Sequence, residues 1–323
     1  GFIGHHLCLR FKDLDFNIKV IDSLSVNNYL SITEKNPKEY PHPKLSKLIT
    51  TERFNLFKEK DIFINKLDSR DYEDINREIL EYDPNIIIHL AAVSHANKSN
   101  VDPFNSFDHS LRTLENTLDF ARTNKTHVIY LSSSMVYGNF EGKEVDEDTN
   151  CNPIGIYGTL KLSGELMVKA YSNVFDLPYT IIRPSALYGE RCVSRRVGQI
   201  FIENAIQNLD ININGGGEEK LDFTYIEDLI QGIYKSCTSK NAFNQTFNIT
   251  FGNARKLSEL AEIVKIEFPE VKINYVGRDK FMPERGTLNI SKAKKLLDYS
   301  PEFNLEKGYK KYIQWYKNFW ENL

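Results

Sequence analysis

HVIYLSSSMVYG (His127 to Gly138), followed by YGTLK (Tyr157 to Lys161), is the stretch on which the fold turns. HVIYL has the continuous apolar character of a strand covered on both faces, and it ends in serines. YGTLK opens a helix predicted to run to about Phe175, and PYTIIRP (Pro178 to Pro184) reads as the next strand. On a helix, residues four apart share one face, so the Lys161 ammonium can lie beside the Tyr157 phenol. A free phenol, with a pKa near 10, is a poor base at neutral pH, and a neighbouring cation favours the phenolate. A shift of about 3 units corresponds to about 4 kcal/mol of differential stabilisation. A serine hydroxyl near the same point can hold the substrate oxygen whose proton moves.

Working back from this stretch, NIIIHLAA (Asn85 to Ala92) is a second apolar strand. A helix is predicted between the two, through Phe104, Phe107, Leu111, Leu114, Leu118 and Ala121, in steps of three and four. DIFINKLD (Asp61 to Asp68) reads as a strand and DYEDINREILEY as a helix after it. NIKVID (Asn17 to Asp22) is a short strand ending in an acid. Residues 27–60, broken by Pro37, Pro41 and Pro43, read as a surface insertion with a helix around Leu45 to Lys60. GFIGHHLCLRFKD opens the chain as a helix start, with Ile3, Leu7 and Phe11 as its apolar stripe. Strands and helices alternate with short connections, which predicts an α/β fold: a doubly wound parallel sheet with helices on both faces. After Pro184 the rhythm loosens into short strands (ININ, FNIT, INYV) and helices, as in a smaller α/β substrate domain. The predicted division is 1–184 plus about 222–250 for the sheet domain, and 185–221 with 251–323 for the substrate domain.

The 323 residues carry a formal charge of −3, which gives no electrostatic reason to expect nucleic acid or an anionic membrane as partner. The apolar run Ile86 to Val93 is far too short to span a bilayer. Cys8, Cys151, Cys192 and Cys237 are scattered without metal-ligand spacing, as expected of reduced thiols in a cytoplasmic protein with no metal. Because residue 1 already lies inside a motif, the first strand of the sheet is expected upstream of it. The chain as written is therefore expected to bind a dinucleotide poorly.

Gly1-Phe2-Ile3-Gly4 at a helix mouth fits the last two glycines of a dinucleotide turn, where amides and the helix dipole hold a pyrophosphate. Asp22 ends the next strand about 20 residues on, where an acid bonds the adenosine ribose hydroxyls. Its charge would repel a 2′-phosphate, which favours NAD over NADP. With GFIG, Asp22, Asp68, LAA (Leu90 to Ala92), SSSMVYG, YxxxK and DFTYIEDL (Asp222 to Leu229) in this order, the whole chain resembles the extended short-chain dehydrogenase/reductases. More narrowly, it resembles their NAD-dependent nucleotide-sugar epimerase/dehydratase group.

That resemblance implies a Rossmann domain in which Gly1, Phe2, Ile3 and Gly4 contact the NAD pyrophosphate and Asp22 the adenosine ribose. Asp68 and Ser69 would lie by the adenine, and Leu90, Ala91 and Ala92 would line the cofactor trough. It makes Ser133, Tyr157 and Lys161 the catalytic set, with Tyr157 as the base and Lys161 as the ribose-binding residue that lowers its pKa. In the family's dehydratases an Asp-Glu pair follows the catalytic Thr; here those places hold Ser134 and Met135. Decarboxylating relatives place a Glu, and 3,5-epimerising relatives a Cys, where Met135 stands. A thioether exchanges no proton at neutral pH. What is left is 4-epimerisation of an NDP-hexose through a 4-keto intermediate. The alternatives are an NDP-sugar dehydratase or another NDP-sugar oxidoreductase of the family, or a non-catalytic NAD(H)-binding regulatory protein.

For the nucleotide-diphosphate sugar itself, the expected contacts are Ser94, Ser133, Ser134, Tyr157, Arg191, Arg196 and Arg285. Arg285, in MPERG, matches a family arginine that contacts the diphosphate, whereas Ala186 and Leu221 stand where relatives carry Asn and Arg. Arg191, Arg195 and Arg196 form a basic cluster able to bind phosphate oxygens, or else a solvated charged loop. His95 reads as packed or solvated. The resemblance also implies a homodimer, built on the helix carrying Phe107 to Leu118 and the YxxxK helix.

Overall fold

The structure is a computed structural model that describes residues 1–25, 29–35, 40–93, 96–277 and 283–321. Along the chain, α1 (Phe2–Asp13) leads to β1 (Val20–Ile21), and α2 (Pro43–Glu59) precedes β2 (Ile64–Asn65). Then come α3 (Tyr72–Tyr82), β3 (Ile86–His89), the short α4 (Ala96–Val101) and α5 (Pro103–Phe107), and α6 (Thr113–Asn124). β4 (His127–Leu131), α7 (Ile156–Phe175) and β5 (Tyr179–Arg183) follow. The rest is β6 (Leu187–Tyr188), α8 (Val197–Ile206), β7 (Ile211–Asn214), β8 (Lys220–Leu221), β9 (Thr224–Tyr225), α9 (Ile226–Thr238) and β10 (Gln245–Asn248). It closes with β11 (Arg255–Lys256), α10 (Leu257–Glu267), β12 (Ile273–Val276), α11 (Ser291–Leu297) and α12 (Leu305–Trp320).

The central sheet is parallel and four-stranded, in the order β10-β5-β4-β3. β4 is buried at every position, as its apolar run requires of a strand with helices on both sides. One face carries the main core, where Ile129, Ile182, Phe247, Ile226 and Leu229 meet the tyrosines of α12. The other face packs Val128, Tyr130 and Ile181 against Leu114 and Leu118 of α6 and Val168 of α7. α7 approaches closely because Gly164 faces Tyr130: a Cβ there would lie 2.2 Å from the Tyr130 hydroxyl. β1 and β2 form a separate parallel pair, β7 pairs with β12, β6 with β9 and β8 with β11.

Three expectations about elements change. NIKVID and DIFINKLD give only two-residue strands, Val20–Ile21 and Ile64–Asn65, which pair with each other apart from the four-stranded sheet. NIIIHLAA shortens to Ile86–His89, and Ile86 to Ile88 are half-buried, since β3 ends the four-stranded sheet and faces a cavity. The helix predicted through Phe104 to Ala121 forms without a gap from Pro103 to Asn124, but carries a π-turn over Asp108–Arg112. Asp102 caps its start by accepting from the Asn105 amide (3.1 Å), and Pro103 follows with no amide to donate. The helix of the insertion forms as Pro43–Glu59.

Candidate active site

One cavity of about 1160 Å³ gathers residues from the mouth of α1, the ends of β1, β3 and β4, the start of α7 and the loops after β5. Ser133, Ser134, Met135, Tyr157 and Lys161 line it together with Gly1, Phe2, Ile3, Gly4, Asp22, Asp68, Ser69, Leu90, Ala91 and Ala92.

The Ser133, Tyr157 and Lys161 group is built by docking one face of α7 on the end of β4. The buried Lys161 donates from Nζ to the Leu131 carbonyl oxygen at 2.6 Å. Two residues on, the buried Ser133 side chain accepts from the Met135 amide at 3.2 Å and lines the same cavity as Tyr157. Gly158 makes the docking possible, since a Cβ there would meet the Met135 carbonyl oxygen at 2.6 Å and Pro153 at 3.0 Å. Burial raises the Tyr157 pKa, opposed by the Arg196 guanidinium and by the Ser133 side chain. Lys161 is pushed down to about 8, burial outweighing the opposing charge of Glu165. Its Nζ lies 6.0 Å from the Tyr157 ring centroid and 5.2 Å from that of Tyr130. The tyrosine–lysine pair thus shares a face as the spacing requires, and the Arg196 guanidinium is a second cation acting on the phenol. His89 of β3, buried and bonded to Thr117 Oγ1 at 3.1 Å, is pushed down to about 3 and faces Lys161 as a neutral ring.

The cofactor end has the features a dinucleotide needs. α1 starts at Gly1 with no side-chain cap and no acid in its first turn, which leaves its amides for an anion. At Gly4 a Cβ would sit 3.3 Å from Leu90 Cδ1, so glycine sets the approach of α1 to the end of β3. Asp22 lies 3.4 Å from the Gly1 nitrogen and is fixed by accepting from the Leu24 amide at 2.8 Å. Asp68 is held by the Arg70 fork, whose Nη1 also binds Asp108, and the Ser69 carbonyl accepts from Asn116. Phe2 is buried as part of the core.

At the other end, Arg196 and Arg285 line the cavity, as do the apolar Ala186 and Leu221. Arg285 is pushed down to about 10, chiefly by burial, with the like charge of Arg196 adding to the effect. Arg191 is not brought in. It bonds His6 Nδ1 at 3.3 Å and pairs with Glu52 at 3.8 Å, and its carbonyl accepts from Arg53, so α2 and α1 hold it away. Ser94 and His95 lie outside the described residues. Sequence reasoning missed Glu165 and Arg183, buried partners beneath the site. The signals were an acid four residues beyond Lys161 on one helix and an arginine ending an apolar strand. Among the described residues, no group of three or more His, Cys, Asp or Glu is arranged to hold a metal, and no helix is long and apolar enough to cross a membrane.

A parallel sheet with a glycine-opened helix and a Tyr/Lys pair at its carboxyl edge defines a Rossmann-type dinucleotide enzyme. The NAD dependent epimerase/dehydratase family matches residues 1–250. The chain is 30% identical over 314 residues to a Bacillus subtilis (strain 168) protein called uncharacterized UDP-glucose epimerase YtcB, covering 95% of this chain and 92% of that one. It is also 30% identical over 329 residues to a putative UDP-glucose 4-epimerase of Methanocaldococcus jannaschii, covering 98% and 96%. Its fold matches the crystal structure of a Bacillus cereus UDP-glucuronic acid 4-epimerase in complex with UDP-glucuronic acid and NAD, with a TM-score of 0.85 and 24% identity over 98% and 96% of the two chains. The protein belongs to the NAD-dependent epimerase/dehydratase family, and it is an NAD-dependent Rossmann-fold enzyme.

Proposed function

We propose that this enzyme is a nucleotide-sugar 4-epimerase. The observation that carries the reading is the neighbourhood of Ser133. Tyr157 and Ser133 face the cavity together, and the next two positions that line it are Ser134 and Met135, neither of which is an acid. Tyr157 would take the proton of the sugar 4-hydroxyl while Ser133 holds that oxygen. Lys161 would bind the nicotinamide ribose. Bound NAD supplies the hydride acceptor. The 4-ketosugar then has only to turn in the cavity and be reduced on its other face, which requires no further acid or base. Gly1, Phe2, Ile3 and Gly4, with Asp22, Asp68, Ser69, Leu90, Ala91 and Ala92, would hold NAD. Arg196 and Arg285 would take the diphosphate, since the side chains of Ala186 and Leu221 offer it no polar group. Relatives named as UDP-glucuronate 4-epimerases support the chemistry, while one named dTDP-glucose 4,6-dehydratase marks the alternative. The test is incubation with UDP- and GDP-hexoses, resolving C4 epimers; a product short of water or carbon dioxide moves the assignment to dehydratase or decarboxylase.

In this reading residues 1–184 with about 222–250 bind NAD, which the place of β10 beside β5 supports. Residues 185–221 and 251–323 bind the sugar nucleotide. A cytoplasmic homodimer follows the same reading. Val101, Phe104, Phe107, Leu166 and Val174 expose more than half of their surface on α4, α5 and α7, a patch that a second copy would cover. Light scattering on the wild type and on Phe104→Glu, expected to give dimer and monomer, tests it.

A further inference from the structure

We propose that Glu165 is a positioning residue for Lys161, holding its ammonium charged and fixing the end of β4 against α7. Two successive residues of that strand end meet two positions four apart on one helix face. The Leu131 carbonyl accepts from Lys161 and Ser132 Oγ donates to Glu165 Oε1, beside the cavity that Ser133 and Tyr157 line. Glu165 is fully buried, and its carboxylate is held bidentately by Arg183 of β5, Nε to Oε1 at 2.9 Å and Nη2 to Oε2 at 2.6 Å. Arg183 is anchored in turn by Tyr137, whose hydroxyl accepts from Nη1 at 2.9 Å and donates to Asn248. The desolvation of a buried ion pair can exceed its attraction, so net stability alone does not explain this one. Its placement one turn beyond Lys161 gives it a task.

The groups facing Lys161 are Tyr157 and Glu165 on α7, Tyr130 on β4 and His89 on β3. Glu165 is the charge that opposes burial of the ammonium, and His89 and Tyr130 are neutral over the working pH range. Removing the carboxylate therefore lets Lys161 lose its proton at lower pH. Removing Arg183 leaves the carboxylate in place and does not have that effect.

The inference rests on the proposed use of Lys161, so its test needs no sugar. Lysine 13Cε NMR titration of the full chain, with Lys161 assigned through Lys161→Arg, reads the ammonium directly. The pH at which NAD affinity falls is the second readout. Glu165→Gln is expected to lower the Lys161 midpoint by about one pH unit or more, about a tenfold change in protonation. The high-pH loss of NAD affinity is expected to move with it. Arg183→Met is expected not to lower the midpoint, and Glu165→Gln/Arg183→Met, which leaves no unpaired buried charge, to lower it again. Equal shifts in Glu165→Gln and Arg183→Met, or an unmoved midpoint in the double variant, would overturn the proposal and leave Glu165 a structural residue. Intact titration behaviour with no epimerase activity would count against the proposed reaction alone.

Discussion

Arg196, at the N-terminal cap of α8, lines the same cavity as Tyr157 and opposes the rise that burial imposes on its pKa, while Lys161, on the same helix as Tyr157, directs its ammonium to the Leu131 carbonyl. The proposed base is therefore acted on from the loop that follows β6 as well as from its own helix. Replacing Arg196 by Gln should raise the Tyr157 pKa. The acid limb of the rate profile then moves to higher pH, and kcat at pH 7 falls more than a binding role alone would explain. A profile with unchanged inflections and a raised KM would assign Arg196 to substrate binding only.

Tyr157→Phe removes the hydroxyl but keeps the ring. Loss of a positioned base costs typically about 10²–10⁴-fold in rate, so kcat should drop by that range. NAD affinity should stay within a few-fold, because Lys161 and the α1 mouth are untouched. Fluorescence titration with NADH beside steady-state assays separates the two.

Gly158→Ala tests the docking of α7 on the loop after β4. Its methyl would enter the space of the Met135 carbonyl, backbone that cannot rotate away. Overpacking of this kind costs about 1–3 kcal/mol, and it also shifts Tyr157 against Ser133. Both the urea midpoint and kcat should fall, and a variant that lost stability while keeping full kcat would contradict the account.

Acid sensitivity follows from buried neutral imidazoles. His6 and His89 are pushed down to about 3 and His127 to about 4 from an ordinary 6.5, in each case chiefly by burial. The unfolded chain therefore binds protons that the folded chain refuses. Stability is intact above pH 6.5 and falls as pH drops below it, by up to about 1.4 kcal/mol per group per pH unit. Asp222, raised to about 6 by burial, works the other way, adding stability as pH falls from 6 towards 4. His5 and His42 are lowered as well and Glu52, Glu147 and Asp228 raised, so five imidazoles stand against four carboxyls, and the urea midpoint should decline from pH 6.5 to 4.

Much of the sheet architecture was legible because its strongest signals are periodic. The stripe of α1, the apolar run of β4 and the Tyr157/Lys161 spacing each survive in the structure. Strand lengths were not, since an apolar stretch such as DIFINKLD does not say which of its residues find a partner strand. The π-turn at Asp108–Arg112 left no mark in the letters, since the three-and-four spacing of Phe104 to Ala121 runs straight through it. Arg191 looked equivalent to Arg196 in YGERCVSRRV, and only tertiary contacts with His6, Glu52 and Arg53 separate them. The Glu165–Arg183 pair joins residues 18 apart on different elements, a contact that no local pattern announces.

The most direct test follows a hydrogen isotope. A C4-deuterated UDP- or GDP-hexose incubated with enzyme and catalytic NAD should yield the C4 epimer with deuterium still at C4 and no change in mass. A product lighter by water or carbon dioxide, or deuterium lost to solvent from C4, would contradict a 4-epimerase working through Tyr157.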